Sequence, residues 1–386
     1  RWLRSFGEVR MKIECKESYF FFDVIIATIK GEPIPAPPED MNWNLFLKTV
    51  LEQQFVSLIA SALENDSEIP TDVLDELKKY KNNEFKRILF VQNEFNEIKN
   101  MLISNGIRYM PLKGSIIRTY YPKSSYRQMS DIDLLCDYAH HNTICEYMLN
   151  RGYTQVSDGG NTDDFTKDPY YTFEFHHDLF KDVYGFCPDF SFVWDNAKLN
   201  GVNEYEYDMS PEDVYLHSIA HMYKHFILGG FGIKFIVDNY ILVTANESSW
   251  NRKYIDKKLA EMKIFDFERQ VVKASFDFFD HNLDKKQSEF FQKAFRYGTF
   301  CNDEDKSNVE EIFNNYQKEN NSVFKYVFLR IFPPKYRIKS MYPILNEKPY
   351  LYPWFYIKRL FIKIFKGPKK VFRELNYIFK VKKNKE

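Results

Sequence analysis

Three observations predict an α+β fold, with a compact sheet-and-helix unit set between helical regions. Apolar residues recur at helical spacing up to about residue 105, the period shortens to that of strands from Ile107, and helical spacing returns at Ser210. Two segments in the middle alternate between apolar and polar residues, as strands with one buried face do. The 386 residues exceed the usual size of a single core, which predicts two or three domains. Hydrophobic content of 44% with 28% charged residues is that of a soluble globular chain.

The elements follow in order. "YFFFDVIIATI" (19–29) is broken by Asp23 and is too short to span a bilayer, so it is expected to be a buried helix. Glu14 and Glu17 ahead of it argue against a signal peptide, and Met11 is a candidate start in a chain that opens on Arg1. The Pro-rich "KGEPIPAPPED" (30–40) reads as a linker or extended loop. Helical spacing then runs through "NWNLFLKTVLEQQFVSLIASALEN" and again from Thr71, an expected N-cap, to a stop at Gly106. "IRYMPLKG" reads as a strand, "SIIRTYY" as a short helix and "SDIDLLCDY" as a strand. "HHNTICEYMLNRGY" is a helix ended by Gly152; "YYTFEFHHDLF" and "CPDFSFVW" are expected strands. "SPEDVYLHSIAHMYKHFILGG" opens a helix with Ser210 as cap, Pro211 in the first turn and two acids near the positive end. The helical pattern continues to about residue 325. The division expected is a helical region over 1–105, a core over 106–200, a helical domain over 201–350 and a basic amphipathic tail over 351–386.

Net charge is zero but unevenly spread. From Leu351 onward eleven Lys and Arg face two Glu, a net of +9, so the preceding 350 residues carry −9. The tail places aromatic and aliphatic residues at helical spacing among lysines. Docking onto the body ranks first for it, contact with an anionic membrane second and nucleic acid third. The five cysteines are scattered without metal-ligand spacing and read as reduced thiols of a cytoplasmic protein, peripheral to the membrane if the tail binds there.

The chemistry concentrates in residues 110–138, "MPLKGSIIRTYYPKSSYRQMSDIDLLCDY". Residues two apart on a strand share a face, so Asp131 and Asp133 point together while Ile132 and Leu134 face the core. Two buried carboxylates side by side require a positive partner. A divalent cation such as Mg2+ takes hard oxygen ligands of this kind, commonly beside substrate phosphates. Gly114 is expected to form a tight turn, and Ser115 to present its N–H and hydroxyl at a helix N-terminus suited to phosphate. Glu174 alternates with Phe173 and Phe175, and is the candidate third carboxylate, as a metal ligand or as the base toward an acceptor hydroxyl. Lys113, Arg118 and Arg127 are candidate phosphate partners, with Arg127 favoured. Ser130 has no His–Asp pairing behind it and reads as structural.

His217, His221 and His225 recur every four residues on one helix face, but the outer two lie about 12 Å apart, too far for one ion. A structural or substrate-facing stripe is expected, in which His221, Lys224 and His225 line a nucleotide cleft and Asp238 pairs with them. His176 and His177 read either as groups supporting the site or as ordinary strand residues.

"LKGS…RQMSDIDLL…GY…FEFHHDL" resembles the poorly characterised bacterial nucleotidyltransferases of the polymerase-beta superfamily. "LHSIAHMYKH", "DNYILV", "FPPKYRIKSMYPIL" and "YLYPWFYIKRL" are similar to that family's later segments, extending the resemblance over roughly residues 45 to 366. Lys113 departs from the superfamily, which usually has Gly there, and the gap to Asp-x-Asp is longer. The resemblance implies a polymerase-beta-type core in which Lys113, Gly114, Ser115 and Arg127 bind the nucleotide, and Asp131, Asp133 and Glu174 hold Mg2+ or Mn2+. It implies transfer of a nucleoside monophosphate from an NTP, with ATP first, to an acceptor that could be a small molecule, a protein or RNA. The alternative is a catalytically inactive module that binds a nucleotide or partner with the same fold.

Overall fold

The computed structural model describes residues 15–157, 161–168, 171–181, 186–228, 232–282 and 348–366, and single positions at 290, 328, 332, 338 and 345. It is a mixed α+β chain built on a five-stranded sheet. The helical pattern expected between 283 and about 325, and the tail beyond 366, lie outside the described residues. Among the described residues, no helix is long and apolar enough to cross a membrane.

Helix α1 (Lys16–Lys30) contains the apolar run of the N-terminus, with Phe20, Phe21, Phe22, Val24 and Ile25 buried. It ends on Gly31 at φ +72°, the left-handed cap that glycine adopts without a Cβ clash. The Pro-rich stretch is extended, and α2 (Trp43–Glu52) follows, its Asn42 cap accepting from the Leu45 N–H. Helix α3 (Val56–Leu63) leads to α4 (Thr71–Ser104), a single helix of 34 residues. Thr71 is its first residue rather than its cap: Pro70 holds the cap position, without a side-chain bond. Gly106 stands just past the end at φ +66°.

The sheet comprises β1 (Tyr109–Pro111), β2 (Ile132–Cys136), β3 (Thr154–Ser157), β4 (Thr162–Lys167) and β5 (Tyr171–His176), in the order β1-β2-β5-β4-β3. Between β1 and β2 lies the single-turn α5 (Gly114–Ile117), and α6 (His141–Asn150) joins β2 to β3. Strands β1 and β2 are antiparallel, β2 and β5 parallel, and β4 pairs antiparallel with β5 and β3. Strands β3 and β4 depart from the sequence reading, which has no strand there. "TDDFTK" carries two adjacent acids, yet pairing on both sides holds it extended. "CPDFSFVW" is no strand: its end forms the one-turn α7 (Val193–Asn196), and Phe190 packs tilted against Phe180 and stacks on Phe192. A small ribbon of β6 (Lys198–Leu199) and β7 (Tyr207–Asp208) follows.

Helices α8 (Pro211–Leu228), α9 (Ile233–Asn246), α10 (Arg252–Glu261) and α11 (Phe265–Phe279) close the described body. The Ser210 hydroxyl accepts from the Asp213 N–H, the cap expected. Helix α12 (Tyr352–Lys366) stands apart in sequence, with Trp354 and Ile357 exposed and Arg359 buried.

Two apolar clusters flank the sheet. One gathers Val91, Phe95 and Ile98 of α4 with Ile132, Leu134, Phe165, Phe173, Phe175 and Ile144. The other joins α1, α2 and α3 to α8, α9 and α11, and reaches the sheet at Met110, Leu112 and Leu135. Strand β2 is buried on both faces, so its alternation hands Ile132 and Leu134 to the first cluster and Asp133 and Leu135 to the side of the second.

Candidate active site

The parallel pairing of β2 and β5 sets Asp133 directly opposite Glu174. Side chains at matched positions share a face, so the two carboxylates meet although 41 residues separate them. His176 lies two residues further on the same face, and its Nε2 donates to Asp133 Oδ1 at 2.9 Å. One ligand atom from each of Asp133, Glu174 and His176 can be chosen so that all three lie within 4.8 Å of one another.

The positive partner that these acids require is present in the chain. The Leu112 N–H bonds the Asp133 carbonyl, extending the β1–β2 ladder and bringing Lys113 alongside. The Lys113 ammonium donates to Asp133 and lies 3.8 Å from Glu174 Oε2. Its backbone is at φ +46°, ψ −115°, a region that suits glycine and costs other residues about 1–3 kcal/mol. The expected division of labour in this turn is therefore corrected. Lys113 takes the strained conformation, at the position where the broader superfamily usually has glycine. Gly114 is required for close approach instead: a Cβ there would lie 2.6 Å from Arg127 Nη1 and 3.1 Å from Met129 Sδ. Ser115 is corrected too. Its N–H is engaged by the Leu112 carbonyl, while its hydroxyl is buried with no hydrogen-bond partner among the described residues and does not line the cleft.

Asp131 stands just before β2 and lines the same cleft. Burial, with Asp133 and Glu174 adding repulsion, pushes its carboxyl up to about 6 despite Lys113 and Lys234. Burial alone would also raise Asp133, but Lys113 and His176 hold it well below the usual carboxylate range. Burial works against the Lys113 charge, and Asp133 and Glu174 outweigh it, raising the ammonium. One carboxylate is thus firmly ionised, and burial first of all makes its neighbour resist ionisation.

Arg127 and Asp238 differ from expectation. Arg127 Nε and Nη2 donate to the two oxygens of Asp238, each at 2.8 Å, and the Tyr121 hydroxyl donates to the same carboxylate at 2.7 Å. Asp238 is therefore not the partner of the histidine stripe, and the Arg127 guanidinium joins the α5–β2 loop to α9. Arg118 donates to the Ser124 carbonyl, and Ser130 lines the cleft.

Helices α8 and α9 form the far wall of a cleft of about 310 Å³ above the carboxylates. His217, His221, Lys224 and His225 line it from α8, as the sequence suggested for three of them, and Lys234 enters from α9. Burial, with Lys113 adding repulsion, lowers Lys224 to about 8; burial, with Arg127, lowers Lys234 to about 8. Burial likewise holds His217 and His221 well below their ordinary value and His225 at about 3, so all three are neutral at pH 7. His217 Nε2 is buried without a hydrogen-bond partner among the described residues. Lys234 escaped the sequence reading because only the packing of α9 turns it into the cleft.

An acidic floor facing a basic wall is the arrangement that a polyanion with bound cations would fill. A sequence model of a family described as uncharacterised nucleotidyltransferases matches residues 39–280. The chain belongs to that family. The match takes in the whole sheet and α2 to α11, and ends before the segments within 332–360 that are also similar. Neither a comparison with curated proteins nor one with solved structures finds a match.

Proposed function

We propose that the chain is a metal-dependent nucleotidyltransferase that moves a nucleoside monophosphate from an NTP to a hydroxyl acceptor. The observation that carries this reading is the placement of Asp133 opposite Glu174 at the foot of a cleft whose other wall bears Lys224 and Lys234. Asp131, Asp133 and Glu174 are a hard-oxygen donor set suited to Mg2+ or Mn2+, and all three line the one cleft. Such ions, when bound, would stabilise charge on the attacking and leaving oxygens of an in-line displacement.

The chain's own groups do the rest. Lys224 and Lys234 attract the triphosphate, and His217 Nε2, which lines the cleft, offers it a hydrogen bond. Lys113 sits on a flexible four-carbon stem, so its ammonium can turn from the carboxylates to the phosphates. Glu174, half-buried at the cleft, serves either as the third metal ligand or as the base that takes the proton of an acceptor hydroxyl. The Arg127–Asp238 pair fixes the loop that carries Asp131. ATP is the first donor to test.

One observation favours a second reading. The Lys113 ammonium already lies between Asp133 and Glu174, as it would in a module that binds a nucleotide without turning it over. The test is thermal stabilisation by ATP, GTP, CTP and UTP, each with and without Mg2+, on wild type and Asp133→Asn. It is followed by a search for labelled nucleoside monophosphate transferred to an acceptor. A metal-dependent shift lost in Asp133→Asn, with transfer of label, supports the enzyme. A shift that ignores both metal and the substitution supports the binding module.

A further inference from the structure

On the opposite face of the sheet, a second cluster of ligand-type side chains has no part in the reading above. Asp163 of β4 pairs in register with Phe175, not Glu174, so its side chain projects to the face that α6 covers. It is buried, at 1% exposure, beside Phe165 and Phe175. His141 and Cys145 lie one turn apart on α6, four residues being the spacing that puts two side chains on one helix face. His141 Nδ1 is 2.6 Å from Asp163 Oδ2 and 3.6 Å from Cys145 Sγ. A ligand atom from each of His141, Cys145 and Asp163 fits within a 4.8 Å limit on mutual separation. His177, just past β5, reaches Asp163 Oδ2 with Nε2 at 2.5 Å, and Gln155 reaches both Asp163 Oδ1 and Cys145 Sγ.

We propose that His141, Cys145 and Asp163 form a zinc site, with His177 as a positioning residue that holds the Asp163 carboxylate. The donor set is one imidazole, one thiol and one carboxylate. The thiol and imidazole favour Zn2+ over Mg2+, which prefers oxygen ligands alone. Charge supports the assignment. Among the described residues the ion pairs of Asp163 are to histidines, so its buried charge has no permanent cation beside it. Zn2+ with one thiolate and one carboxylate is a neutral unit, which a half-buried apolar surrounding accepts at little desolvation cost. Binding releases the Cys145 thiol proton to solvent. His141 is partly exposed, which leaves a path for the ion and for a water in the fourth position. The ligand atoms now sit at hydrogen-bonding distances, so the carboxylate and imidazole must separate slightly to admit the ion. The bound ion would staple α6 to β4 as a structural centre. This site stands independently of the nucleotidyl-transfer reading.

The test uses the full chain, stripped with a chelator and dialysed against Zn2+, with bound metal measured by mass spectrometry. Wild type is expected to retain one Zn2+ per chain in this site, and Asp133→Asn to retain it unchanged. Cys145→Ser and His141→Gln are expected to lose it, and His177→Gln to weaken it by about 10–100-fold. The Co2+-loaded wild type should show a thiolate-to-cobalt charge-transfer band, a readout that needs no variant to fold. Absence of that band, or Zn2+ binding that Cys145→Ser leaves intact, would overturn the site. So would Zn2+ lost on His225→Ala instead, because that would place the ion on the His221–His225 pair.

Discussion

Replacing Asp238 by alanine removes the acceptor for three hydrogen bonds at once, two from Arg127 and one from Tyr121. The carboxylate is 1% exposed and the guanidinium 8%, so water reaches neither freely. Burial disfavours the Arg127 charge, and Asp238 more than restores it, leaving that guanidinium more firmly protonated than usual. Removing one partner of a buried pair strands the other, at a cost of about 3–5 kcal/mol. At about 1.2 °C per kcal/mol, from an unfolding entropy of about 2.1 cal/mol/K for each of the 386 residues, the melting temperature of Asp238→Ala should fall by roughly 4–6 °C. Arg127→Met should cost a similar amount, because Asp238 then keeps only Tyr121. The double variant Arg127→Met/Asp238→Ala removes both charges, and should cost less than the two single changes together by about 0.5–3 kcal/mol. Urea denaturation of the four proteins measures this cycle. Either single change costing under about 1 kcal/mol, or two costs that simply add, would refute a structural pair and return Arg127 to the phosphates.

Further outcomes follow from the same geometry. Gly114→Ala puts a Cβ against Arg127 Nη1, which Asp238 holds in place, so about 1–3 kcal/mol of destabilisation is expected by denaturation, with a weaker nucleotide-induced thermal shift. Asp133→Asn should lower nucleotidyl transfer at least about 100-fold while leaving the fold intact by circular dichroism; near-normal transfer would remove Asp133 from the centre. Lys224 and Lys234, each lowered to about 8, lose their charge as pH rises through that value. Triphosphate affinity should therefore fall by about tenfold for each contributing lysine between pH 7 and pH 9, as read by titration calorimetry with Mg2+ present throughout. A flat profile would mean that neither ammonium touches the phosphates.

The parts of the site legible in the sequence are those fixed by strand period. Asp133 shares no face with Ile132 or Leu134, and Glu174 none with Phe173 or Phe175, because side chains alternate along an extended chain. What the period does not give is which strands are neighbours and in which register. The opposition of Asp133 and Glu174 depends on parallel pairing across 41 residues, and Asp238 meets Arg127 across 111. The direction of the Lys113 side chain was hidden for a different reason. It follows from a positive φ that a lysine rarely adopts, and local propensity assigns that geometry to the adjacent glycine. Strand β4 was missed because "TDDFTK" has the composition of a turn; its two neighbours decide its conformation, and with it the positions of Asp163 and Asp164 on opposite faces. Helices were easier, since α1 and α8 announce themselves by apolar spacing and caps, although the unbroken length of α4 needed tertiary contact with both clusters.

Helix α1 lies outside the span that the family model matches, yet Phe21 packs edge-on against Phe55 and Phe22 against Phe278 of α11, with ring centroids 5.7 and 5.3 Å apart. Those partners belong to the same apolar cluster that backs the sheet under Asp133. The segment shared by the family and the segment that folds as a unit are therefore different. Amide protons of Phe20 to Ile26 should exchange with deuterium as slowly as those of α9 and α11, through cooperative opening of the whole cluster, and in a chain trimmed to residues 39–280 the amides of α9 and α11 should exchange faster.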